Sequence, residues 1–251
     1  MDIKQEKGKR HNRLQSLLSY VQSGIPVTSQ ELRTIGVLPD SVKHYVRQGY
    51  LKKLAHGLYA LPNDEISLYG AIKCLCKTNE SLHVASKTAL EWHGIVHNLY
   101  SHQECILFNT KTGKSPLWSE NFGIRYTKTA LFDLADRDHL TYPACLARPL
   151  ELPCSVPERA VLEMLYEVGK SQDFEEAQNI FDGFFNPRMD VLGNLLQHCR
   201  SFKVIRLFAQ MVRERNLFDV DRFYKQYKIS TGSNFTWSIK TSDGTYLRLK
   251  P

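Results

Sequence analysis

The stretch DSVKHYVRQGYLKKLAHGLY, residues 40–59, gathers Lys43, Arg47, Lys52 and Lys53 with His44 and His56 into a segment whose punctuation predicts a helix, a turn and a strand. Upstream, Thr28 and Ser29 are N-cap residues, and Thr28 with Glu31 three positions on has the capping-box form, so a short helix runs to about Ile35. Gly36 supplies the positive φ of a tight turn, Pro39 suits the first turn of the next helix over about 40–48, and Gly49 closes it. Before these, RLQSLLSYVQSG sets Leu14, Leu17, Leu18 and Val21 at i, i+3, i+4 and i+7, a helical stripe ended by Gly24. Three helices with a glycine-containing turn before the third follow the helix-turn-helix order. YLKKLAHGLYAL then alternates apolar and polar residues around His56-Gly57, as a hairpin does, and forms a candidate wing.

On the third helix Val42, Tyr45 and Val46 share the core face, leaving Ser41, Lys43, His44, Arg47 and Gln48 on the free sides. Charge is concentrated in the same region. Residues 1–60 hold 10 Lys and Arg against 4 Asp and Glu, whereas the remaining 191 hold 23 against 22, so nearly all of the net +7 lies in the first quarter of the chain. A basic N-terminal module of this kind points to double-stranded DNA, with the third helix contacting bases and phosphates and the wing holding adjacent backbone. The expected DNA-facing set is Thr28, Ser29, Ser41, Lys43, His44, Arg47, Gln48, Lys52, Lys53 and His56. Arg47 and Gln48 are the side chains suited to base edges, Arg to guanine and Gln to adenine.

From about Asp64 the texture changes. DEISLYGAIKCLCK and LHVASKTALEWHGI read as helices, and ECILFN, FGIRYTKT and LARPLELP as short strands. VPERAVLEMLYEVG, DFEEAQNIFDGFF, DVLGNLLQHCR and FKVIRLFAQMVRER form a run of amphipathic helices, and FTWSIKTSDGTYLRL a closing hairpin that turns at 242–244. The expectation is an α+β chain: a winged helix-turn-helix over 1–62, then a helix-rich domain with a short antiparallel sheet over 63–251. The latter divides into an α+β section at about 63–155, a helical section at about 156–228 and a hairpin at about 234–250.

Composition excludes several classes. No apolar run approaches the roughly 18 residues of a membrane span, and the charged start lacks the apolar core of a secretory signal, so a cytoplasmic protein is expected. Six scattered cysteines lack a disulfide framework spacing. His93, His97 and His102 beside Cys74, Cys76 and Cys105 lack the C-x2-C pairs of zinc sites and the glutamate of a zinc protease, so no metal is expected. Ser86-Lys87 stands in no nucleophile elbow, and neither a phosphate loop nor a dinucleotide fingerprint occurs, so neither catalysis nor a cofactor is expected. Arg200, Lys203, Arg206, Arg213 and Arg215 on the C-terminal helices read first as a solvated or salt-bridged face, with a second polar surface for DNA or protein, centred on Arg200, Lys203 and Arg206, as the alternative.

The run PVTSQELRTIGVLPDSVKHYVRQGYLKKLAHGLYAL resembles the N-terminal winged helix of the AbiEi antitoxins of type IV, abortive-infection toxin–antitoxin systems. Gly49 to Tyr59 follows that family's G-x-[LI]-x-[KR]-[LI]-x-[KR]-G-x-Y pattern, with His56 where the family carries Arg or Lys. HVASKTALEWHGI and the segments containing PERAVLEML and CRSFKVIRLF are similar to its later parts, so that about 200 residues are covered. The resemblance implies a non-enzymatic protein that represses its own operon at promoter inverted repeats and neutralises a nucleotidyltransferase-like toxin, directly or indirectly. A monomer that occupies DNA in more than one copy is expected. A winged-helix regulator whose C-terminal domain binds a ligand or another protein is the alternative.

Overall fold

The computed structural model describes residues 14–95, 104–111, 114–142, 151–233, 236–240, 244 and 246–249. The chain divides into two compact units, one of residues 1–79 with 116–122 and the other of 80–115 with 123–251. The expected boundary at 62 thus falls inside the first unit, which is also discontinuous in sequence.

In the first unit α1 (14–20) is followed by β1 (Val27–Thr28), α2 (Ser29–Thr34), α3 (Pro39–Arg47), β2 (Lys52–Ala55), β3 (Leu58–Ala60) and α4 (Leu68–Thr78). The local signals explain this order. Thr28 Oγ1 accepts from the Glu31 N–H while Glu31 Oε2 accepts from the Thr28 N–H, so the capping box is closed in both directions. Gly36 and Gly49 take φ values of +80° and +74° at the ends of α2 and α3. Leu17, Val21, Val27, Leu32, Val37, Val42, Tyr45 and Leu51 make one core, with Val46 packed on its edge. Leu18 departs from its expected place: it is 48% exposed, and Leu17 and Val21 alone of the later stripe turn inward. The three strands pair antiparallel in the order β1-β3-β2.

α4 is locked onto this core. A Cβ on Gly70 would lie 1.8 Å from the Gly24 carbonyl oxygen, a contact only glycine permits. Asp64 accepts from Ser23 Oγ at 2.7 Å and from the Gly24 N–H at 3.0 Å, and Lys77 on α4 pairs with Glu31 at 2.8 Å. The short 3-10 helix Leu117–Phe122 completes the unit.

The second unit is built on a five-stranded sheet of β4 (His83–Val84), β5 (Cys105–Asn109), β6 (Ile124–Lys128), β7 (Leu140–Thr141) and β8 (Cys154–Ser155). Its order is β6-β5-β4-β8-β7, with β5-β6 and β4-β8 parallel, so the sheet is mixed where an antiparallel one was expected. α5 (Ser86–Trp92) starts immediately after β4, and the two-residue strand occupies what the periodicity assigns to a longer helix. Around the sheet lie α6 (Pro157–Glu167), α7 (Phe174–Phe181), α8 (Met189–Gln197), α9 (Phe202–Glu214) and α10 (Val220–Gln226). α6 is buried along almost its whole length. β9 (Trp237–Lys240) and β10 (Tyr246–Leu249) pair antiparallel as the expected closing hairpin, of whose turn only Gly244 is among the described residues. Of the expected strand LARPLELP, residues 146–150 lie outside the described residues and 151–153 are not extended into a ladder.

Candidate nucleic-acid interface

The alternation of a β-strand decides which hairpin cations act together. Lys53 and its cross-strand partner Tyr59 face a groove, while Lys52, one residue earlier, turns to the other side and donates to the Asp64 carbonyl oxygen. The groove encloses about 500 Å³ between α2, α3 and the hairpin. Val37, Val42, Val46 and Tyr59 contribute to its apolar lining, and Arg33, Lys43, Arg47, Lys53 and His56 bring polar heads. Among the described residues no carboxylate lines it.

Backbone contacts fix the geometry. The Ser29 N–H donates to the Gly57 carbonyl at 2.8 Å, tying the start of α2 to the hairpin turn, where Gly57 has a φ of +70°. A Cβ on Gly57 would come within 3.3 Å of Ser29 Oγ. On α3, Lys43 and Arg47 are one turn apart and project on the same side. Glu31, the acid nearest these cations in sequence on α2, is engaged in the capping box and with Lys77. Burial pushes its carboxyl up, but Lys77 and Thr28 outweigh that and hold it below the ordinary value, so it stays an anion and stays internally neutralised.

The structure therefore brings together Ser29, Lys43, Arg47, Lys53 and His56 of the expected set. It does not bring in the others. Thr28 spends its hydroxyl on Glu31, and Lys52 spends its ammonium on Asp64. His44 on α3 and Gln48 at its C-cap are exposed but off the groove lining, and Ser41 is half-buried outside it. Arg33 is the residue that sequence reading missed. Its signal was available: it lies four positions after Ser29, hence on the same face of α2.

The second unit treats charge differently. Glu163, 1% exposed, accepts from Arg159 Nε at 2.8 Å, from Ser155 Oγ at 2.8 Å and from the Ser86 N–H at 3.2 Å, and lies 3.0 Å from His83 Nε2. Burial pushes its carboxyl up; His83, Arg159 and Ser155 outweigh burial and hold it below the usual range. Glu167, one turn on, accepts from Arg125, Thr127 and Ser86 Oγ. Ser86, with a φ of +55°, is thus a buried knot in a hydrogen-bond network.

The C-terminal cations are likewise internal. Arg206, 2% exposed, donates to the carbonyls of Thr231, Ser233 and Leu249, which ties α9 to the end of the chain. Lys203 donates to the carbonyls of Tyr166 and Val168 at 2.8 Å, at the C-terminal end of α6. Burial, then Lys170, push its ammonium down to about 8. Arg200 pairs with Asp133, Arg213 with Asp221 and Arg215 with Asp182. Of the three cations of the alternative polar surface, Lys203 and Arg206 serve as backbone clamps, while Arg200 stays exposed beside Asp133.

His93 Nε2 lies 3.0 Å from the Ser155 carbonyl oxygen, and Cys74, Cys76 and Cys105 are buried. Burial pushes the Cys74 thiol up to about 12, which leaves it protonated and inert. His97 and His102 lie outside the described residues. Among the described residues no three His, Cys, Asp or Glu side chains converge as a metal site, and no helix is long and apolar enough to cross a membrane.

Comparison with known proteins bears on this arrangement. No curated protein sequence matches the chain. Its fold is similar to the crystal structure of the RV2827C protein from Mycobacterium tuberculosis, with a TM-score of 0.54 over 85% of this chain and 83% of that one at 13% identity. Residues 10–101 match the model of the N-terminal domain of the AbiEi antitoxin transcriptional regulators, and residues 102–250 match the model described as transcriptional regulator, AbiEi antitoxin, type IV toxin–antitoxin system. With matches that run over nearly its whole length, the chain belongs to the AbiEi antitoxin family of transcriptional regulators of type IV toxin–antitoxin systems.

Proposed function

We propose that the first unit is a winged helix-turn-helix that reads double-stranded DNA in the promoter of its own operon and represses it. α3 enters the major groove, and the β2-β3 hairpin is the wing that holds the flanking phosphates. The observation that carries this reading is the groove rimmed by Arg33, Lys43, Arg47 and Lys53, with His56 at the turn and no carboxylate among its described lining residues. Family membership supports a regulatory and antitoxin role in the cytoplasm. On this reading the second unit neutralises a nucleotidyltransferase-like toxin, and monomers occupy the two arms of an inverted repeat.

A gel shift on the DNA upstream of the coding region, against shuffled DNA, tests the repressor half. With about five phosphates neutralised per copy, a fourfold rise in salt weakens binding several hundredfold. Changing Lys43, Arg47 and Lys53 together to Ala is expected to abolish retardation without altering the melting temperature. A triple variant that binds normally removes this assignment.

A further inference from the structure

Only one edge of the outward surface of α3 lines the groove: Lys43 and Arg47 do, whereas Asp40 and His44 do not. Asp40, Lys43, His44 and Arg47 are all exposed and stand at i, i+3, i+4 and i+7, so they form a single outward stripe. Three of these side chains are basic or can become so. The fourth is a carboxylate, 95% exposed, whose Oδ1 accepts from Lys43 Nζ at 3.2 Å, Lys43 itself being 71% exposed.

This carboxylate is out of place on a surface that meets phosphates. Between residues 29 and 60 the only acids are Glu31 and Asp40, and Glu31 is taken up by Thr28 and Lys77. Asp40 lies in the first turn of α3, where its charge complements the helix N-terminus, but that role needs no direct contact and leaves the carboxylate exposed, and an exposed pair at this spacing adds little. Facing a polyanion, it lowers affinity for every sequence alike unless a hydrogen-bond donor meets it.

In the major groove the base-edge donors are the amino groups of cytosine N4 and adenine N6. Adenine sets its N7 acceptor beside N6, which repels a carboxylate, whereas cytosine offers its amino group without an adjacent N7. The partner of that cytosine presents the O6 and N7 acceptors of guanine on the same edge. A carboxylate oxygen and an ammonium 3.2 Å apart form a matching acceptor and donor set.

We propose that the Asp40–Lys43 pair reads one C·G base pair, Asp40 accepting from cytosine N4 and Lys43 donating to guanine O6 or N7. The inference rests on the assignment of α3 as the helix that enters the major groove. It makes Asp40 a specificity-determining residue that the basic pattern of the region conceals.

Selection of bound duplexes from a randomised pool by the full chain tests this whatever the operator sequence. The wild type is expected to select a site containing one C·G pair whose replacement by T·A weakens binding at least about fivefold. Asp40→Ala should lose the preference at that position alone and bind unrelated duplexes more tightly, since a charge repelled by phosphate is gone. Asp40→Asn should move the preference to A·T, because an amide matches adenine N6 and N7. Far-UV circular dichroism and the melting temperature of each variant verify its fold.

Variants that select the wild-type site with unchanged discrimination overturn the inference and leave the DNA-reading assignment standing. A wild type that selects no duplex at all removes that assignment and the inference with it.

Discussion

The two units carry the same kinds of charged side chain and use them in opposite ways. In the first, Arg33, Arg47 and Lys53 are exposed around a groove and, among the described residues, have no carboxylate within ion-pair reach. In the second, Glu158, Arg159, Glu163, Glu167 and Arg206 are buried, and each is matched by hydrogen bonds from within the same unit. A cation whose partners, carboxylates or carbonyls, are supplied internally is structural, because leaving it unpaired after burial is costly. One whose counter-charge is withheld is available to an outside anion. The lesson is that placement of acids, more than number of bases, separates a binding face from a scaffold.

The largest effect should come from breaking the internal network. Glu163→Ala leaves Arg159, His83, Ser155 and the Ser86 N–H without their common acceptor, and removing one partner of a buried charge pair costs about 3–5 kcal/mol. Urea unfolding measures it, and a loss no larger than that of an exposed-residue substitution would erase the contrast between the units.

Acid should act through the same carboxylates. Burial pushes Glu158 up, but Arg188 outweighs it and holds the carboxyl low, as His83 and Arg159 do for Glu163. A carboxyl whose folded pKa lies below its unfolded value stabilises the fold above the unfolded pKa, about 4.3, and loses that contribution as pH falls through the folded one. The urea midpoint should therefore hold from pH 7 to 5 and fall steeply below about 4.5. Glu163→Gln should flatten that fall; an unchanged profile in this variant contradicts the assignment.

The smallest effect sharpens the comparison within the first unit. Lys53→Ala should weaken DNA binding on all sequences alike and reduce the salt slope by about 1, the signature of one lost phosphate contact. Lys52→Ala, one residue away, should leave both unchanged because its ammonium serves Asp64. Equal losses in the two variants would contradict the alternation of the hairpin.

Much of the first unit was legible because its signals are local. The capping box at Thr28 and Glu31, the glycines at 36 and 49 and the hairpin around Gly57 each act within a few residues, and each appears where its residues predict. Alternation in β2 is legible too, yet a count of charge joins Lys52 and Lys53 into one patch, because it ignores the side on which each projects. The attachment of α4 was hidden: Gly70 against Gly24 and Lys77 against Glu31 are contacts across more than 40 residues of sequence.

In the second unit amphipathic periodicity located α6 to α9, while β4, β7 and β8, two residues each, are too short to show a period. Lys203 and Arg206 resemble surface cations in the sequence because a helix pattern does not reveal which carbonyl ends lie beside it. α9 meets the end of α6 and the closing segment, and both side chains are consumed there.

The discontinuity of the first unit carries a consequence for synthesis. The helix Leu117–Phe122 belongs with residues 1–79, so a ribosome that has delivered α4 has not yet delivered the whole unit. The segment that closes it emerges only after β4, α5 and β5 have been made. A fragment ending at Asn79 therefore omits a piece of its own fold, and an expression boundary suited to the isolated module lies beyond Phe122 or requires Leu117–Phe122 to be grafted back through a short linker.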